Sequence, residues 1–157
     1  VADGVTFIAT ANIGNEYTAT RQLDKALLDR FTVIEMDLLT QEEEYGLLKY
    51  MFPTVEEKTL ENVSNITSLT RAEADTENPR ISSGVSTRTS VEIAGLLFDG
   101  FSLLESADIT IYPQYDSTGG ADSERTFVKQ IVQKFVSDGS SDELFTEHDV
   151  DDTDSDF

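Results

Sequence analysis

Residues Phe7 to Phe31 read "FIATANIGNEYTATRQLDKALLDRF", and the chain runs on through "TVIEMDLL" to Leu39. Val5–Ala11 is apolar or small without the polar alternation of a half-exposed strand, which predicts a strand buried on both faces. Leu23–Arg30 carries Leu23, Ala26 and Leu27 at three- and four-residue spacing and predicts a short helix. Phe31–Leu39, rich in aromatic and β-branched residues, predicts a second strand. Strand, helical crossover and strand are the sequence form of a parallel βαβ unit, so the fold class read here is α/β. A parallel sheet needs more than two strands and a cover on each face, so further strands are expected from a longer protein or from a partner. The start at Val1, with the apolar run already under way at Val5, points the same way, to the C-terminal part of something longer.

After Leu39 the pattern turns helical. Thr40-Gln41-Glu42-Glu43 and Thr54-Val55-Glu56-Glu57 both have the capping-box form, a hydroxyl followed three residues later by a carboxylate. Pro53 separates the two helices, and the second runs through Leu60, Val63, Ile66 and Leu69. Asn78–Gly84 is rich in breakers. Ser86 is the expected N-cap of a third helix, with Val91, Ala94, Leu97, Phe98, Phe101 and Leu104 as its apolar stripe. Ala107–Ala121 holds a short extended patch, "ITIY", and a turn, "DSTGGA". A last helix, Ser123–Val136, is expected to bury Phe127, Ile131 and Phe135.

Of 157 residues, 31 are Asp or Glu and 11 are Lys or Arg, a net charge of −20. Nine of the acids lie in 138–157, a tail without Lys or Arg and low in aliphatics, for which disorder is expected. Such a surface repels phosphate backbones, so direct nucleic-acid binding is not expected. With no cysteine there are no disulfides or thiolate metal sites, which fits a cytoplasmic protein. No apolar run approaches the roughly 20 residues of a membrane span. Asp116, Thr118, Asp122 and Glu124 lack the EF-hand register and read as turn and cap residues. The sequons at Asn62 and Asn65 fall within a predicted helix. His148 is the single histidine, so a histidine metal cage or catalytic dyad has nothing to build on.

The order "IATAN", loop, "LDKALLDRF", strand, then a helical region with "STRTSVEIAGLL" resembles the C-terminal portion of an AAA+ ATPase, nearest the MoxR, CobS-like and dynein-related branch. The likeness covers Val5 to Phe135. It implies the last two parallel strands of a P-loop NTPase core over residues 1–39, an all-helical lid subdomain over 40–136 and an acidic tail over 137–157. It implies that Asn12 is the sensor 1 residue, near the γ-phosphate and the attacking water. Arg30 would be the arginine finger, acting in trans on the neighbouring subunit's nucleotide, and Arg88 the sensor 2 arginine on nucleotide phosphate. Arg21 is a second, weaker candidate for reaching across an interface. The implied cofactors are ATP and Mg²⁺, the implied assembly a ring of copies of itself, a hexamer, and the implied activity ATP hydrolysis coupled to remodelling of a partner protein of unknown identity. The chain has no GxxxxGK[ST] loop and no strand ending in an acidic pair before "IATAN", so it should not hydrolyse ATP alone. Thr87 stands where the family often has proline. The alternative is a non-catalytic acidic scaffold or regulatory subunit that retains the lid architecture.

Overall fold

A computed structural model describes residues 4–10 and 29–137. Contacts divide the chain into two compact units, Val1–Asp37 and Leu38–Phe157.

In the first unit the α/β expectation is corrected. Val5–Thr10 and Phe31–Asp37 form no strand, and among the described residues there is no strand anywhere in the chain. Ile8 is 91% exposed and Met36 90%, so neither apolar run is covered as a buried strand would be, and neither has a ladder partner among the described residues. Strand propensity expresses itself only through pairing and packing, and a lone β-rich segment gains neither. Most of the expected Leu23–Arg30 helix lies outside the described residues; Asp29 and Arg30 sit in a turn.

The second unit is helical: α1 (Gln41–Met51), α2 (Glu57–Ala74), α3 (Thr87–Phe98), α4 (Leu103–Thr110) and α5 (Glu124–Ser137), with 3₁₀ turns at Tyr112–Gln114 and Gly120–Asp122. The longest helix, α2, packs against α1, α3 and α5, and α4 bridges α3 and α5. Leu48, Leu60, Val63, Ile66, Ile93 and Val128 are among the side chains filling the core. Enclosed on several sides, α2 also buries polar residues, and each finds a partner. Thr67 Oγ1 donates to the Val63 carbonyl at 3.0 Å, Ser64 Oγ to Glu61 at 2.8 Å, and Asn62 Nδ2 to the Phe135 carbonyl on α5 at 3.3 Å. The expected stripe ending in Leu69 fails on phase. Nine residues at 100° per residue place Leu69 about 180° from Leu60, and Leu69 is indeed exposed while Thr67 and Thr70 are buried.

The capping box at Thr40 forms in both directions, Glu43 N–H to Thr40 Oγ1 at 3.3 Å and Thr40 N–H to Glu43 Oε2 at 2.9 Å. The one at Thr54 does not: α2 begins at Glu57 with Glu56 in the N-cap position and no side-chain cap. The single stripe from Val91 to Leu104 is two helices. Gly100, at φ +94°, closes α3, with Phe101 N–H donating to Leu96 O at 3.0 Å and Gly100 N–H to Leu97 O at 3.1 Å. This is a Schellman motif, which requires the left-handed backbone that glycine tolerates. A new capping box, Ser102 with Glu105, then starts α4. "ITIY" is not extended; it completes α4 and enters the first 3₁₀ turn, with Ile111 and Tyr112 buried in the core. In α5 the fully buried positions are Val128 and Val132, with Ile131 5% exposed and Phe127 and Phe135 packed partly buried around them. No described helix is long and apolar enough to cross a membrane. The acidic tail beyond Ser137 lies outside the described residues.

Two core tyrosines differ in one respect. Tyr115 Oη donates to the Ser83 carbonyl at 3.0 Å, whereas buried Tyr112 Oη has no partner among the described residues. Burial, reinforced by Asp108 at Tyr112 and by Glu124 at Tyr115, pushes both phenols up to about 12. The folded state therefore resists ionisations that the unfolded chain undergoes near pH 10, and the associated stability is present below pH 10 and lost as pH rises through about 12. We expect Tyr112→Phe to leave stability at neutral pH unchanged or raised by up to about 1 kcal/mol, and Tyr115→Phe to lower it by about 1–2 kcal/mol. Each should flatten the alkaline fall of a urea-unfolding stability profile.

Candidate functional site

The helix start at Ser86-Thr87-Arg88-Thr89 brings together the polar groups of this unit. Ser86, in extended conformation at φ −79° and ψ 156°, caps α3 by accepting the Thr89 N–H at 3.2 Å. The first turns of α1, α2, α4 and α5 carry acidic residues, as the helix dipole favours, but that of α3 carries none and presents Arg88 instead. Arg88 is exposed, and its side chain makes no hydrogen bond or ion pair with any described residue. A cation there opposes the dipole at a cost of about 0.3–1 kcal/mol, which an anion seated on the same turn would reverse.

Behind this turn lies an ion pair that sequence reasoning missed. Arg71 on α2 and Glu44 on α1 have side chains 12% and 1% exposed, with Arg71 Nη1 2.6 Å from Glu44 Oε2 and Nη2 3.3 Å from Oε1. Arg71 Nε donates to the Val85 carbonyl at 2.9 Å, Nη1 also to the Leu39 carbonyl at 3.0 Å, and Nη2 also to Thr87 Oγ1 at 3.1 Å. All five guanidinium N–H groups are thus engaged, and Arg71 has no donor left for a ligand. Ser90 Oγ on α3 completes the shell, donating to Glu44 Oε1 and lying 2.8 Å from the Thr87 carbonyl. Gly84 makes the approach possible: a Cβ there would fall 2.6 Å from both Cα and Cγ of Arg71. Helical phase carried the signal. Glu44 is one turn before buried Leu48, and Arg71, eleven residues after Leu60, points within about 20° of it, so opposite charges occupy the core faces of neighbouring helices.

An open groove of about 640 Å³ lies beside the pair, between Leu38 and Leu39 before α1, Ala72 and Asp75 at the end of α2, and Val85 and Ser86 before α3. Asn12 and Arg21 lie outside the described residues. Arg30 is exposed in its turn of the first unit. Asp116 is a turn residue, its Oδ1 accepting the Thr118 N–H at 2.9 Å and Oγ1 at 2.8 Å, bonds that hold its carboxyl below the usual range. No group of three or more His, Cys, Asp or Glu placed to hold a metal occurs among the described residues.

No family model matches the chain. Over 106 residues it is 38% identical to a protein of Thauera aromatica named "Putative chaperone BssE". The match takes in 68% of this chain and 35% of that protein, so the chain spans about a third of the relative's length.

Removing one member of a buried pair leaves the other charge uncompensated. Glu44→Ala should cost about 3–5 kcal/mol, and the Glu44→Leu/Arg71→Met double variant less than that single change. Gly84→Ala should cost about 1–3 kcal/mol by overpacking against Arg71. Equilibrium urea unfolding followed by circular dichroism measures all three.

Proposed function

We propose that this chain is the helical, lid-bearing part of a chaperone of the AAA+ class, in which binding and hydrolysis of ATP in a ring of copies, a hexamer, drive remodelling of a partner protein. The observation that carries the nucleotide reading is Arg88. In a chain of net charge −20, the one described α-helix whose first turn lacks an acid presents there an arginine without a described partner. The relative's name supports the chaperone part of the reading.

The residues present fit the anionic half of the implied ligand and not its metal. Arg88 and the α3 N-terminus suit phosphate oxygens, while the described residues hold no cluster of three or more His, Cys, Asp or Glu placed to bind a metal. When bound, ATP supplies the phosphoanhydride whose cleavage powers the cycle. This chain's part is to hold and orient: Arg88 binds phosphate, Asn12 positions the attacking water, and Arg30 places positive charge in the neighbouring subunit's site. A cation supplied in this way is worth about 10³ to 10⁵ in rate.

In the full-length protein, Arg30→Ala is expected to reduce steady-state phosphate release by about 10³-fold or more while the dissociation constant for ATP stays within about twofold. Wild-type turnover in that variant overturns the assignment. ATP binding without turnover in the unmutated protein would instead favour the non-catalytic regulatory subunit.

A further inference from the structure

We infer that Arg71 is a positioning residue, which locks the chain leading into α1 and the first turn of α3 into one body and thereby fixes where Arg88 stands. The inference rests on the nucleotide reading of Arg88 and adds to it the part that sets its geometry.

A guanidinium with five engaged donors acts as a spacer of fixed shape, because its planar fork dictates the relative placement of its acceptors. Here the acceptors come from separate parts of the chain: the Leu39 carbonyl just before α1, Glu44 within α1, the Val85 carbonyl in the loop, and Thr87 Oγ1 at the first residue of α3. Thr70 holds the same loop from the other side, its Oγ1 accepting the Val85 N–H at 3.0 Å. Leu39 and Thr87 thus share one rigid donor group across 48 positions of sequence. Arg88 follows Thr87 directly, so any shift of Thr87 relative to α1 and α2 moves Arg88 with it. Ser90, bonded to Glu44 one turn later, keeps α3 from rotating about that point. The groove lined by Leu39 and Val85 opens onto the same tie.

Thr87 offers a mild way to cut it. Proline is well accepted at the first position of a helix, and Ser86, at φ −79° and ψ 156°, already has the conformation that a following proline requires. Thr87→Pro therefore preserves the start of α3 and removes only the acceptor for Arg71 Nη2.

The test is a double-mutant cycle on ATP binding by the full-length protein, using Thr87→Pro, Arg71→Lys, Arg88→Ala and the two doubles with Arg88→Ala, with melting temperature and hydrogen exchange measured on each. Arg88→Ala should weaken ATP binding by about 10-fold or more. Thr87→Pro should weaken it several-fold without loss of fold, and amide exchange should rise together at the α1 and α3 N-termini. Combining either tie variant with Arg88→Ala should add little, because the tie acts through Arg88. If Arg88→Ala leaves ATP affinity unchanged, the nucleotide reading fails. If Arg88→Ala weakens binding but a folded Thr87→Pro or Arg71→Lys protein binds as wild type, or the losses simply add, the positioning role is overturned.

Discussion

Burying an arginine against a glutamate is the constraint around which the helical unit is arranged. Withdrawing both charges from water costs several kcal/mol per ion, and the pair is tolerable only when its remaining hydrogen-bonding capacity is met. That condition accounts for much of the surrounding geometry. Gly84 is small so that the loop can come down on Arg71, Val85 turns its carbonyl to Nε, and Ser90 brings its hydroxyl to Glu44. A hydrocarbon pair could fill the same volume with fewer conditions, but it would not dictate which carbonyl of which segment docks where.

The loop between α2 and α3 shows what this arrangement accomplishes. Residues 75–86 have no regular secondary structure, yet Ile81 and Val85 are core residues. The loop is held by Arg71 and Thr70 at Val85 and by Tyr115 at Ser83. At its outer edge Arg80 bonds Glu73 at 3.0 and 3.1 Å and lies 3.7 Å over the Phe127 ring. Glu73, held below the usual carboxylate range by hydrogen bonds from Arg80, is the charged end of that strap. Polar side chains therefore supply the order that a backbone ladder would otherwise supply.

Which parts could be read in advance follows from how local their causes are. The caps at Thr40 and Ser86, the break at Pro53 and the last helix depend on a few neighbouring residues, and they were legible. The division of α3 from α4 was equally local, written in Asp99-Gly100 followed by Ser102 and Glu105, but a continuous apolar count conceals it. The strands at Val5 and Phe31 were misread because hydrophobic runs report burial only when something exists to bury them, and a strand's partner is never in its own sequence. Arg88 was singled out by the resemblance of "STRTSVEIAGLL" to an AAA+ lid segment. Glu44 and Arg71 were not, because charged residues read as surface unless their helical phase is traced to the core and across to the neighbouring helix.

The charge distribution gives Arg88 an unusual setting. Its guanidinium is a local positive spot on a molecule of net charge −20, so an approaching anion meets repulsion from the protein as a whole before it meets attraction from the site. Repulsion from charges more than about 8–10 Å away is largely screened at physiological salt, and the attraction of an exposed arginine at a helix end is weakened by salt as well. For an anion bound at Arg88, as the nucleotide reading has it, salt would therefore lower the repulsion met on approach and the attraction met on contact together, in place of the electrostatic steering found where the whole surface is of opposite sign to the ligand. Under that reading, a net charge of −20 opposes a long polyanion, which meets it at many points, more than a small anion, which meets it at few.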